Sequence, residues 1–337
     1  MPKTLRNQFD KKLSYEKLME AHKRSCDNKT CRKDIILFNL KKEAYVKYLY
    51  ENLKNQTYKH GGYTIFYVHE PKLRRIQKSR YIDRVVHRWL VDNFLAPTFI
   101  PQFIKNSYAC LPNRGMHQAT LDVKQAMGHC KYIWGEYYIV KMDVKKYFQN
   151  INKEILLKIV NRKIKDKKLI WLINEIIYST EEDTGIPIGN YTSQIFANIY
   201  LNEVDQYAKH ILKLKYYFRY MDDTIVLVKS KSEAKNVLEK IREFMNGKLK
   251  LELNSKTQIF KSKQGVNFCG YKINEYRMKI REKGKKKIKK KIKHLKENIK
   301  SGTMTSIEAK KYLCGHFGYI KYADVHNLTE KLFYIEE

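Results

Sequence analysis

Acidic residues are scarce in this chain. Asp and Glu number 35 against 68 Lys and Arg, a formal net charge of +33. Self-repulsion on that scale costs stability unless a polyanion offsets it, so nucleic acid is the expected partner and an anionic membrane surface the second. Long apolar runs are also missing: none reaches the ~18 residues that crossing a bilayer takes. The opening MPKTLRNQFDKKLSYEKL lacks the apolar core of a secretion signal, so a cytoplasmic protein with no membrane association is expected. Paired cysteines are absent too. Cys26 and Cys31 stand five apart and Cys314 two before His316, with Cys110, Cys130 and Cys269 scattered between. No spacing fits a zinc site, and reduced, mostly buried thiols are expected. No internal repeat is visible.

What is present is a globular composition, 43% hydrophobic, with 26 Tyr and 14 Phe that suit stacking on bases. Residues 1–60 read as basic and helical. In DIILFNLKKEAYVKYLYENLKN (34–55) the apolar spacing predicts a helix that Gly61-Gly62 stops. YTIFYVHEPKLRRIQ (63–77) reads as strand, turn and strand, with Pro71 in the turn. Residues 81–100 predict a helix ended by Pro97 and Pro101. In YYIVKMDV (137–144), Tyr138, Val140, Met142 and Val144 share one face, and Ile139, Lys141 and Asp143 the other. One helix over 152–179, a loop and another helix over 195–212 follow. YYFRYMDDTIVLV (216–228) reads as two strands with Asp222-Asp223 at the tip of their turn. Ser232 is positioned to cap a helix with the stripe Val237, Leu238, Ile241, Phe244 and Met245, which Gly247 ends. KLKLELN (248–254) and VNFCGYKI (266–273) read as strands. KGKKKIKKKIKHLKENIK (283–300) could be a disordered basic tail, but Ile288, Ile292, Leu295 and Ile299 form one stripe of an amphipathic helix, the preferred reading.

Adjacent acids at a hairpin tip repel one another unless a cation lies between them, although Asp-rich turns are common in their own right. Asp143 strengthens the metal reading, because an unpaired acid within an apolar strand is expensive. Asp143, Asp222 and Asp223 together could hold two Mg²⁺ ions roughly 4 Å apart. Carboxylate oxygen suits Mg²⁺, with Mn²⁺ as a substitute. One ion would activate a 3′-hydroxyl and the other would stabilise a leaving pyrophosphate.

YMDD, Tyr220 to Asp223, with an upstream strand aspartate resembles the palm of a reverse transcriptase. The resemblance extends over ordered blocks: KLRRI (72–76) with DRVVHRWL (83–90), NSYACLPNRGMHQA (106–119), KMDVKKYFQNI (141–151), GIPIGNYTSQIFANIYLNEVD (185–205), FRYMDDTIVL (218–227), LELNSKT (251–257) and NFCGY (267–271). YLCGHFGYIKYADVHNL (312–328) resembles the thumb less sharply. The resemblance implies an α+β right-hand polymerase: an N-terminal helical extension over 1–60, fingers over 61–135, a palm with an antiparallel sheet over 136–282 carrying a fingers insert around 150–190, and a basic helical thumb over 283–337. It implies Asp143, Asp222 and Asp223 as metal ligands. Arg74 would contact the incoming nucleotide bidentately, with Lys72 assisting by charge. Phe148 would block a 2′-hydroxyl, although its neighbour Tyr147 could be the intruding ring. Lys256 would lie near the nucleotide phosphates. Phe268, Cys269, Gly270 and Tyr271 would grip the primer end, or simply form a strand. The helix lysines Lys285, Lys286, Lys289, Lys290 and Lys293 would contact nucleic acid.

The loop GIPIGNYTSQ (185–194) is the most specific element. Many reverse transcriptases carry Pro-Gln-Gly where this chain has Pro187-Ile188-Gly189, and an aliphatic side chain cannot donate a hydrogen bond to the nucleotide. Losing that contact should loosen discrimination. IGNYTSQ closely resembles the Ile-Gly-x-x-x-Ser-Gln signature of reverse transcriptases of diversity-generating retroelements. Ile188, Gly189 and Gln194 are therefore assigned to the nucleotide pocket, while Ser193-Gln194 also suits a cap on the following helix. The resemblance implies a bacterial, archaeal or phage-encoded enzyme that uses deoxynucleoside triphosphates and a primer. It would copy a structured template RNA into cDNA with errors at adenine. Its implied partner is a small basic accessory protein, the accessory variability determinant, itself oligomeric. A retron-like or antiviral-defence enzyme using its own non-coding RNA is the alternative, and a catalytically inactive RNA-binding scaffold a remote one.

Overall fold

The computed structural model describes residues 4–69 and 73–325. Two compact units interleave along the chain. The first takes Met1–Lys105, Val144–Lys213 and Lys240–Ser255, and the second Asn106–Asp143, Leu214–Glu239 and Lys256–Glu337. Among the described residues no helix is long and apolar enough to cross a membrane.

The first unit is mostly helical. The expected helix over 34–55 is two helices, Lys33–Leu40 and Lys42–Lys54, because Lys41 departs from helical geometry and Phe38 stacks on Tyr45 across the break. The second of these ends at Asn55, well before Gly61. The hairpin is formed by β1 (Tyr63–Val68) and β2 (Arg74–Ser79), antiparallel, and its expected turn at Pro71 lies outside the described residues. Over 81–100 the helix Tyr81–Leu90 widens into a π turn at Val91–Leu95 and resumes over Ala96–Phe99. Pro97 sits in the first turn of that last segment, where no N–H is needed, and so does not end it. The helix expected over 152–179 is likewise two, Lys153–Lys163 and Lys167–Ile177, since Asp166 turns its carboxylate onto the Lys168 and Leu169 amides and starts a new helix. The helix after the GIPIGNYTSQ loop, expected over 195–212, begins at Tyr191 and runs to Gln206. Thr192, Ser193 and Asn198 are buried along with its apolar residues, so it is enclosed nearly all round. KLKLELN is not a strand. A π turn at Met245–Leu249 runs through Gly247, and Lys250 then reverses the chain with φ +54°.

The second unit holds two antiparallel sheets. One has the order β4 (Tyr217–Tyr220), β5 (Asp223–Val228), β3 (Tyr138–Asp143), β6 (Gln258–Lys261). The other is β7 (Val266–Phe268), β8 (Tyr271–Ile273), β9 (Met278–Ile280). VNFCGYKI is therefore a hairpin folded at Cys269-Gly270 rather than a single strand. The helix Lys231–Phe244 is capped by the Ser230 hydroxyl, which accepts the Glu233 amide, and not by Ser232. The lysine-rich segment is a helix, Glu282–Lys300, that buries Ile288, Ile292 and Leu295 but leaves Ile299 exposed. Val123, Met127, Ile139, Ile225, Phe268, Tyr271 and Ile288 meet in one core. All six cysteines are free, but only Cys130 is buried; Cys31, Cys110 and Cys314 are exposed at turns and on helix surfaces.

A buried histidine weakens the first unit in acid. His87 is 1% exposed, neither ring nitrogen has a hydrogen-bond partner, and it stacks on His60 at 5.4 Å. Burial, then the nearby His60 and Arg84, pushes its pKa down to about 3. Below the unfolded value of about 6.5 the unfolded chain takes up a proton that the folded chain refuses, so stability falls as pH drops from there toward 3. His87→Leu should remove roughly 3–5 kcal/mol of that loss, seen as a flatter urea midpoint between neutral and acid pH.

Candidate active site

The β3·β5 pairing sets the carboxylates. Its register puts Asp143 directly opposite Asp223, and β4·β5 puts Tyr220 opposite the same residue. Met221 and Asp222 form the two-residue turn, with Met221 at φ +54°, a left-handed conformation unfavourable for a non-glycine residue. Asp223 is thus the first residue of β5 rather than part of the tip. Lys141, two residues before Asp143 on the same face, brings Nζ within 3.3 Å of Asp223 Oδ2. The same ammonium donates to the Asn267 carbonyl. Asp223 Oδ1 is buried with no hydrogen-bond partner. Burial pushes the Asp223 carboxyl up to about 6; the Lys141 ammonium opposes this, and the Asp143 and Asp222 charges add to it. Burial, reinforced by Asp223, also holds the Cys269 thiol far above its ordinary range.

Among the described residues, no three carboxylate, imidazole or thiol groups are already gathered into a ligand shell. The residues nevertheless suit a hard cation: the donors are carboxylate oxygens, one of them a buried atom that lacks a partner.

The turn is braced from behind by a residue that pattern reading passed over. Arg219 is 1% exposed in β4. Its guanidinium donates to the Met221 carbonyl at 3.1 Å and to Ser107 Oγ at 3.0 Å. Its backbone is tied to Asn106 and Tyr108, and Arg114 donates to the Ser107 carbonyl. A charged residue inside an apolar strand is the signal that could have found it, since burial of a cation demands partners.

The primer-grip candidates divide. Phe268 and Tyr271 are core residues; Tyr271 donates to the Tyr319 carbonyl and stacks on its ring at 4.5 Å. Only the turn between them is left for an outside contact. There Cys269 and Gly270 both have positive φ, and a Cβ on Gly270 would meet Tyr319 Oη at 2.2 Å. Lys256 is exposed just before β6. Of the helix lysines, Lys286, Lys289, Lys290 and Lys293 are exposed, while Lys285 is half-buried and paired with Glu282 at 2.7 Å.

In the first unit the loop before Tyr191 is tied at several points. Ile186 N–H donates to the Phe148 carbonyl at 2.8 Å, and Gln77 N–H to the Ile188 carbonyl at 3.2 Å. Gly185 has φ +90°, and a Cβ there would lie 2.9 Å from the Gln149 carbonyl, so only glycine fits. The buried Lys153 ammonium donates to the Thr180 and Glu182 carbonyls and to the Thr180 hydroxyl. Burial lowers its pKa. Asn190 accepts from Ser79, and neither Ser193 nor Gln194 caps the helix; both lie within its first turn. Ile188 is half-buried and lines a cavity of about 240 Å³ with Arg75, Gln77, Gln149 and Ile186 among others. Tyr147 is buried, its hydroxyl on the Ala197 carbonyl, which leaves the half-buried Phe148 as the accessible ring. Arg74 is exposed at the start of β2, and Lys72 lies outside the described residues.

Replacing Arg219 with Met strands the part-buried Met221 carbonyl and the buried Ser107 hydroxyl. It should cost about 1–3 kcal/mol and speed amide exchange at Met221–Asp223 specifically, measurable by mass spectrometry.

A profile of the reverse transcriptase (RNA-dependent DNA polymerase) family matches residues 59–273. Among curated proteins, the chain is 27% identical over 252 residues to protein YkfC of Escherichia coli, covering 63% of this chain and 66% of that protein. It is 26% identical over 305 residues to the group II intron-encoded protein LtrA of Lactococcus lactis, covering 68% of this chain and 50% of that protein. The chain therefore spans one half to just under two thirds of these relatives. Among solved structures, telomerase from Candida tropicalis in complex with the TWJ fragment of telomeric RNA aligns with a TM-score of 0.52 at 14% identity, covering 86% of this chain and 59% of that one. That likeness is one of fold, the α+β right-hand polymerase. With the family profile matching well over half of its length, this chain belongs to the reverse transcriptase (RNA-dependent DNA polymerase) family.

Proposed function

We propose that this protein is an RNA-directed DNA polymerase that copies a structured template RNA into cDNA with errors concentrated at adenine, as in a diversity-generating retroelement. The observation that carries the polymerase reading is the register that sets Asp143 opposite Asp223, one residue from Asp222. Two Mg²⁺ or Mn²⁺ ions, when bound by these carboxylates, would activate the primer 3′-hydroxyl and stabilise the leaving pyrophosphate. Lys141 serves as the local counter-charge that keeps Asp223 ionised against its burial. Arg219 holds the turn so that Asp222 and Asp223 do not have to be ordered on substrate binding.

Roles for Arg74, Lys72, Phe148, Lys256 and the Cys269-Gly270 turn rest on the sequence blocks, as do the fingers, palm and thumb limits and the accessory protein partner. Ile188 supports the error-prone reading, because its apolar side chain, lining the cavity with Gln77 and Gln149, offers the nucleotide no hydrogen bond. The second reading is a retron-like or antiviral-defence reverse transcriptase that makes cDNA from its own non-coding RNA; the palm carboxylates serve it equally. Near-identical repeats that differ at adenines beside the gene would separate the two.

Primer extension on an RNA template with Mg²⁺ tests the chemistry. Asp223→Asn should lower incorporation about 10³-fold, the loss of several kcal/mol of charge stabilisation, and full activity in that variant would refute it. Ile188→Gln should keep extension but change misincorporation opposite adenine; an unaltered error spectrum removes the proposed role of Ile188.

A further inference from the structure

The three-stranded sheet β7–β8–β9 has a second face that the polymerase reading leaves unused. Its inner face, Phe268, Tyr271, Ile273, Met278 and Ile280, is core. On its outer face Lys272 and Lys279 are directly paired across β8·β9, both exposed, with Asn267 beside Lys272 across β7·β8. Like charges directly opposite on neighbouring strands destabilise a sheet, and a register that keeps them carries that cost in the free protein. At the end of the sheet away from the Cys269-Gly270 turn, this face opens into a concavity of about 640 Å³, to which Lys263, Arg277 and Tyr276 also contribute. The acids nearby are Glu136, paired with Lys263 at 3.0 Å, Glu275 within the turn, and Asp324, whose carboxylate accepts the Met278 amide at 2.7 Å and faces Lys124. None is paired with Lys272, Lys279 or Arg277 among the described residues.

The β8–β9 turn is built to present its side chains. Asn274 Oδ1 accepts the amides of both Tyr276 and Arg277, and the Asn274 amide donates to the Arg277 carbonyl. This fixed turn holds Tyr276 69% exposed next to the cations. Gly265 lets the opposite wall approach: at φ +65°, a Cβ there would lie 2.7 Å from the Ile273 carbonyl. Cations in a row beside a rigid exposed aromatic match a single strand of nucleic acid, with phosphates along the lysines and an unstacked base on the ring.

We propose that this face is a second RNA-binding surface, gripping an unpaired stretch of the RNA outside the duplex being copied. None of the three carboxylates lines it. The choice of RNA as the strand rests on the polymerase reading, whose long partner is RNA.

The test uses the full chain, the double variant Lys272→Ala/Lys279→Ala, and Tyr276→Ala. Binding of a long uridine-rich RNA is followed by fluorescence anisotropy as KCl rises. Nucleotide incorporation on a short blunt primer–template duplex and thermal stability are measured in parallel. Losing two phosphate contacts should make the slope of log affinity against log salt shallower by about 1.4. A rise from about 50 to about 200 mM salt then costs the unaltered protein about sevenfold more affinity than the double variant. Tyr276→Ala should weaken binding about fivefold or more with the slope unchanged. Incorporation on the short duplex should hold, and the double variant should melt no lower. An unchanged slope, an equal loss toward poly-glutamate, a loss confined to single-stranded DNA, or a parallel loss of short-duplex incorporation overturns the proposal. An unaltered protein that incorporates nothing refutes the polymerase reading instead, and the salt slopes still decide whether this face binds RNA.

Discussion

Antiparallel pairing of β3 with β5 is the constraint on which the rest depends. It sets two carboxylates opposite each other at the end of a sheet whose interior is apolar, where burial makes the charge of Asp223 expensive. Every neighbouring feature answers that expense. Lys141 sits at the diagonal position on the same face and compensates Asp223. Arg219 holds the Met221 carbonyl, so a left-handed turn that would otherwise be strained stays formed. What is left over, a buried carboxylate oxygen without a partner and a carboxyl whose pKa is pushed up to about 6, is what supports the proposed cation site.

The first unit solves a different problem, holding a loop with little regular structure. Lys153 is the centre of that solution. Its ammonium gathers carbonyls from 180 and 182, while Gly185 lets the chain press against Gln149. The loop then hands its amide at Ile186 to Phe148 and its carbonyl at Ile188 to β2. Ile188 is thereby fixed by its backbone, so its side chain alone is free to vary the chemistry of the cavity it lines. On the proposed reading, a substitution at Ile188 would alter nucleotide selectivity without altering the loop.

The sequence was most legible where periodicity and chemistry agreed. Alternation put Asp143 and Lys141 on one face of a strand, and the stripe through Ile288, Ile292 and Leu295 marked a helix. It was least legible where a single side chain overrode the period. Asp166 starts a helix within an apolar stretch that reads as continuous. Lys250 turns the chain inside an alternating segment, so the edge strand forms at Gln258–Lys261 instead of 248–254. Conversely, β9 and the Cys269-Gly270 reversal follow from pairing partners that local pattern does not encode. Of the site, the three acids could be named from type and spacing. Their register, the bracing by Arg219 and the counter-charge of Lys141 could not, because each depends on contacts between strands far apart in sequence. Phe268 and Tyr271 show the converse: aromatic residues in a suggestive motif whose rings go to the core.

On the proposed reading, Asp143 and Asp223 act as one site because the register makes them neighbours. Calorimetric titration of Mn²⁺ into the unaltered protein, Asp143→Asn and Asp223→Asn tests this without reference to catalysis. Saturable binding in the unaltered protein that weakens to a similar extent in both variants is the predicted result. Binding that survives intact in either variant would contradict it.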